Sequence, residues 1–282
     1  MKKWLPYLIV IAVLLAASFV VPHRTVDPWG LFNPYSLIRI LLALTALQVF
    51  SSLLMSFLRG HHAGLLLGFL GGLISSTALA VSLSNQSQDC SEDEARLLSL
   101  TYLSALLGTV ALAAVLSMIG SDQLNWRLQG VFLGPIVVSL WLVVWRARSI
   151  QKIQFKPDSI PTLSVKSVLS LGLIIMLFLV FSKVLQTYLG EVGQYYLTFL
   201  TCLFELHGSI IGNTQLLQNG TVTAATTGNL FALGILASYI AKMTIVIVMG
   251  SRSFKKRIIK YTGWLCLSLI VAWLFASAAL AF

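Results

Sequence analysis

Charge is scarce in this chain. Asp, Glu, Lys and Arg make up 10% of its 282 residues, against 57% hydrophobic residues and a mean hydropathy of +0.89. That balance excludes a water-soluble core and leaves no room for a sizeable soluble domain. Acid is scarcer than base, and the net charge is +10. The cations stand in short hydrophilic connections beside apolar runs, where they set membrane orientation, so nucleic acid is excluded as the partner. Cys90, Cys202 and Cys266 are isolated, with no CxxC spacing. A disulfide framework and a zinc site are excluded with it, and the thiols are read as packing residues. No cofactor is implied, and the acidic stretch Asp89, Glu92, Asp93 and Glu94 lacks the spacing of a calcium loop.

What the chain has is apolar runs near 20 residues, at about 4–21, 36–58, 64–84, 98–119, 127–145, 164–188, 194–212, 223–249 and 258–281. This is the pattern of an all-α polytopic membrane protein. The start, "MKKWLPYLIVIAVLLAASFVVPHR", has the Lys2/Lys3 head and apolar middle of a retained signal anchor. Two loops carry dense base: Arg146, Arg148, Lys152 and Lys156, then Arg252, Lys255, Lys256, Arg257 and Lys260.

If all nine runs cross, a cytoplasmic N-terminus leaves the 146–156 cluster outside, against the positive-inside rule. If 64–84 and 194–212 enter and leave on one face, the N-terminus and both clusters fall together in the cytoplasm. A shift of 130 residues supports this, placing Gly60 on Gly190, Phe69 on Phe199 and "ISSTA" (74–78) on "FELHG" (204–208). The expected fold is about seven full transmembrane helices plus two re-entrant or broken segments, as two inverted repeats after an N-terminal helix. The expected division is 1–28 for the anchor, 29–147 for repeat 1, 148–163 for a basic cytoplasmic linker and 164–282 for repeat 2. The alternative is nine continuous helices packed through small residues.

Four stretches, "WGLFNPY" (29–35), "GGLISSTALAVSL" (71–83), "FELHGSIIG" (204–212) and "SYIAKM" (238–243), resemble in order and spacing the C-terminal membrane domain of MgtC/SapB-type bacterial proteins. The resemblance covers roughly residues 28–250. It implies a domain of unknown function in stand-alone form, without the N-terminal MgtC part. That family's Asp-x-Asp pair falls on Glu205 and His207, and its helical Lys on Lys242. The chain departs from the pattern at His207 and near Val110, where relatives often carry a basic residue.

An ionisable group at a bilayer centre costs roughly 2.5–3.5 kcal/mol or more unless paired or wetted, which marks Glu205, His207 and Lys242 as functional candidates. Lys242 needs a partner, and Glu205 is the natural one. Ser75, Ser76 and Thr77 at the first break offer hydroxyls and free N–H groups to an anion, with Ser209, Asn229 and Ser238 as further polar lining. The expected function is a bacterial inner-membrane transporter or lipid-carrier flippase for a small anionic or phosphate-bearing substrate, coupled to protons through His207. It is not an enzyme: no GxSG-type context surrounds the serines. Its partners would be the bilayer, the lipid-linked phosphate or small anion, protons and a second copy of the chain. The other reading is a non-transporting regulator that binds another membrane protein.

Overall fold

The computed structural model describes residues 5–24, 26, 33–57, 63–120, 126–147 and 165–281, and every regular element in them is helical. The helices are α1 (Leu5–Val20), α2 (Pro34–Phe57), α3 (Ala63–Gln86), α4 (Glu92–Ile119), α5 (Trp126–Ala147), α6 (Val165–Leu189), α7 (Glu191–Phe204), α8 (Leu206–Gln218), α9 (Ala224–Met249) and α10 (Arg252–Ala281). Lys2, Lys3, Arg59 and the 148–163 linker, with Arg148, Lys152 and Lys156, lie outside the described residues. Helices close all their backbone hydrogen bonds internally, so a chain this apolar can place them in lipid. α4 is the central one, buried along most of its length. Its start is fixed by a capping box, in which the Ser91 N–H donates to Glu94 Oε2 (2.8 Å) and the Glu94 N–H to Ser91 Oγ (3.3 Å).

Two faces follow from contacts between helix ends. On one, Arg257 and Ser253 of α10 reach Glu92 at the start of α4 (3.4 and 2.8 Å). The Ser251 N–H donates there to Ser87 Oγ just after α3 (2.9 Å), and Gln88 bonds to the Met249 carbonyl ending α9. On the other face, Arg39 of α2 donates to the Ile119 carbonyl ending α4 (3.1 Å), and Gln186 of α6 donates to the Thr221 carbonyl beyond α8 (3.3 Å).

Among the described residues five stretches are long and apolar enough to cross a bilayer, Gly64–Asp89 among them. That stretch nevertheless folds back. A Cβ on Gly68 would collide with the Thr101 carbonyl, one on Gly72 with the Ala105 carbonyl, and one on Gly108 with the Phe69 carbonyl, so residues 63–74 climb parallel to α4. A straight helix would carry Gln86 about 21 Å beyond Gly72, past the end of α4. Instead Ser87 and Gln88 lie at the face where α4 begins. The chain reverses at Ser75, whose extended backbone (φ −162°, ψ 92°) interrupts the helix, and residues 76–86 descend to that face.

The second half repeats the device. Glu205, also extended (φ −144°, ψ 106°), separates α7 from α8. Asn213 of α8 donates to Thr198 Oγ1 of α7 at 3.1 Å, where a continuous helix would hold them about 22 Å apart. The arms therefore form a hairpin that enters and leaves beside the end of α6. The breaks at Ser75 and Glu205 are 130 residues apart, the offset of the sequence repeat.

The first hairpin thus opens from the face where α4 starts, and the second from the face where α4 ends. Seven described helices, α1, α2, α4, α5, α6, α9 and α10, are unbroken; α4, α5, α9 and α10 hold apolar stretches long enough to cross a bilayer, and α1, α2 and α6 hold shorter ones. α2 to α5 and α6 to α10 are related by inversion, as the repeat predicts, and nine continuous helices are overturned. The last helices of the halves, α5 and α10, pack closely where Gly130 meets Ala276 and Gly134 meets Ser268 and Ala272.

Candidate functional site

Each break leaves the N-terminus of its second arm without intrahelical partners, and the break residue supplies one. Ser75 Oγ accepts from the Ala78 N–H (3.3 Å), and Glu205 Oε1 accepts from the His207 N–H (3.0 Å). That cap turns the Glu205 carboxylate back toward the His207 ring, where Oε1 lies 3.0 Å from Nδ1. The other ring nitrogen, Nε2, stands 3.3 Å from the Thr109 carbonyl of α4. The Thr109 hydroxyl in turn bonds to the Ala105 carbonyl (2.8 Å) and the Gly72 carbonyl (3.4 Å), close to the tip of the first hairpin. Thr109 is thus where two hairpins from opposite faces meet.

This geometry counts protons. A carbonyl cannot donate, so Nε2 must carry a hydrogen to bond Thr109. The Nδ1···Oε1 contact then needs a second proton, held by either the ring or the carboxyl. Imidazolium beside carboxylate and neutral imidazole beside carboxylic acid both satisfy it. Removal of one proton leaves the other free to sit on Nδ1, where it keeps the Glu205 contact and gives up the bond from Nε2 to Thr109, so the second proton is what ties the two hairpins together.

Lys242 is buried on α9, 4% exposed, and bonds to Ser238 one turn earlier through its hydroxyl and its carbonyl (3.5 Å). Its charge interacts with Glu205 electrostatically but makes no direct ion pair with it; the ion pair of Glu205 is with His207. The expected Glu205–Lys242 bridge is therefore corrected. Helix capping aims the carboxylate at its own hairpin, and the ammonium donates to the Ser238 hydroxyl and carbonyl.

Of the other expected residues, Ser76 is buried, and Ser75 and Thr77 are half-buried at the first tip. Ser209 is buried against Cys202. Asn229 stands apart: it accepts from Trp273 Nε1 (2.7 Å) and donates to the Tyr195 hydroxyl (3.3 Å), about 20 Å along α9 from Lys242. It ties α7, α9 and α10 together near the second face. Thr226 and Thr227 serve the helix start, bonding to Thr223, the N-cap of α9. Thr109 escaped the sequence reading, although the resemblance had pointed to the stretch around its neighbour Val110. Among the described residues no three His, Cys, Asp or Glu side chains cluster to hold a metal.

Two inverted halves, each sending a broken hairpin to one polar centre in an apolar bundle, define a polytopic helical membrane protein with an interior site. The chain belongs to the family of the domain of unknown function DUF4010, which matches residues 42–250 and so includes both hairpins, Thr109 and Lys242. No curated protein and no solved structure matches the chain.

Proposed function

We propose that this DUF4010 chain, related to the C-terminal domain of MgtC/SapB-type proteins, is a proton-coupled transporter or lipid-carrier flippase for a phosphate-bearing anion in the bacterial inner membrane. The observation that supports it most is the meeting of the two hairpin tips at Thr109 beside a buried lysine. Interrupted backbone at membrane depth is tolerated where it lines a cavity, and inverted repeats let one element rock against the other around a fixed site.

Charge sets the coupling. With its proton, the Glu205–His207 pair is neutral overall, and Lys242 makes the centre +1, ready for an anion. Without the proton the pair is −1, the centre is neutral, and the anion is released. One proton therefore travels with one negative charge. The basic clusters at Arg146 and Arg252–Lys260, both on the face where α4 begins, support a cytoplasmic assignment for that face and for the N-terminus.

Native mass spectrometry of the purified protein tests the reading. A phosphate-bearing ligand should accompany the wild type and be absent from Lys242→Ala. A wild type that carries none, and binds no added phosphate compound, would sink it.

A further inference from the structure

The site is open sideways. Between α6 and α7 runs a groove of about 290 Å³, walled by Leu177, Phe181, Leu200 and Phe204, with Glu205 at its inner end. Leu200 is 57% exposed and Phe204 81% exposed, on the outside of the bundle. The arms of the second hairpin are 14 and 13 residues long, so its tip and this opening lie about 20 Å in from the second face. At that depth the outside is hydrocarbon, since the hydrocarbon core is about 30 Å thick. A carboxylate ending a lipid-facing groove is costly unless polar groups meet it there; the His207 amide and ring do so through Oε1, and a polar head arriving from the groove would add to them.

The contrast with a second groove among the described residues decides what this one is for. The cleft between α5 and α10 is bigger, about 700 Å³, but ends on no ionisable group, with Ser268 as its polar side chain. Lipid tails fill such a surface without recognition. The smaller groove joins hydrocarbon to the Glu205–His207 pair, apolar at one end and ionisable at the other.

We propose that this groove admits an amphiphile from the bilayer: a single apolar chain lies between α6 and α7 while its phosphate head reaches the centre formed by Glu205, His207 and Lys242. The inference rests on the transport reading given above and narrows its substrate to a lipid-borne phosphate. The chain never leaves an apolar medium, so only the head needs the protein. Glu205 also sets the order of events. An anionic head cannot pass an ionised carboxylate at close range, but passes the proton-bearing pair, so the pair takes up its proton before the head loads and keeps it while the head is bound.

The full chain in lipid nanodiscs, titrated with dodecyl phosphate and separately with inorganic phosphate, tests this. Binding is read by a fluorescent label on Lys256→Cys, in a background lacking Cys90, Cys202 and Cys266. Leu200→Trp and Leu177→Trp each fill the groove from its lipid side. Dodecyl phosphate should bind the wild type, and each variant about tenfold or more weakly. Inorganic phosphate should bind weakly and equally to all three. Undiminished dodecyl phosphate binding by both variants overturns the groove, and leaves the transport reading standing if Lys242→Ala abolishes that binding. Inorganic phosphate binding as tightly as dodecyl phosphate also overturns the groove. Binding of neither compound overturns both proposals.

Discussion

His207 shows how one side chain can join two halves of a molecule. Its amide and Nδ1 both address Glu205 on its own hairpin, while Nε2 addresses Thr109 on the other repeat. Because both ring nitrogens face acceptors, the residue is held by protonation as much as by packing. Glu205→Gln separates these roles: the amide oxygen still caps α8, but the carboxylate that shares the proton with His207 is gone. The folded protein should keep its thermal stability within about 1 kcal/mol. Its binding of dodecyl phosphate should strengthen less than that of the wild type as pH falls from 8 to 6. A pH profile unchanged from wild type would remove Glu205 from the coupling. Sequence reading found the acid, the imidazole and Lys242 because ions are costly in hydrocarbon. It misjudged their pairing, since which ion meets which depends on where the helix breaks, and composition does not show that.

At the scale of elements, the two hairpins are built from different materials. The first is held by shape: Gly68, Gly72 and Gly108 let backbones of α3 and α4 touch. Gly72→Leu should therefore destabilise the protein by about 1–3 kcal/mol or displace the hairpin. The second is held by polar pairs, Thr198 with Asn213 and Gln194 with Ser182 (2.7 Å), all buried. Asn213→Ala leaves the Thr198 hydroxyl without that donor and should cost about 1–3 kcal/mol. Thr198→Val together with Asn213→Leu should recover part of it, which thermal unfolding of the single and double variants measures. Additive losses would mean that the pair does not hold the arms together. Both hairpins were legible as interruptions, through paired glycines and hydroxyls in one and two ionisable residues in the other. Their exact ends were not: the arms extend to 63–86 and 191–218, because helices run on until a turn such as Gly190 or Gly220, both at positive φ, stops them.

For the whole molecule, the direction of every helix depends on the two reversals. Length and hydropathy treat 64–89 as a crossing, since a folded-back pair of short arms has the same composition as one long helix. The charge bias and the 130-residue offset supplied what length could not, by requiring an even number of passes there. Accessibility of single cysteines decides between the two topologies. In a background lacking Cys90, Cys202 and Cys266, cysteines replacing Asp89 and Lys256 should react from one side of the membrane. Those replacing Glu191 and Gln218 should react from the other, all four judged by comparing right-side-out and inverted vesicles. If α3 crossed once, Asp89 would sit opposite the segment before Ala63. If α7 and α8 crossed as one, Glu191 and Gln218 would part. Either result would undo the inversion of the halves, and with it the single centre at which a proton and a phosphate head could meet. Labelling of Asp89 with Lys256 and of Glu191 with Gln218 leaves a bundle in which two dead-end hairpins approach Thr109 from opposite faces. In such a bundle, moving one hairpin exposes the shared centre to one face without opening it to the other.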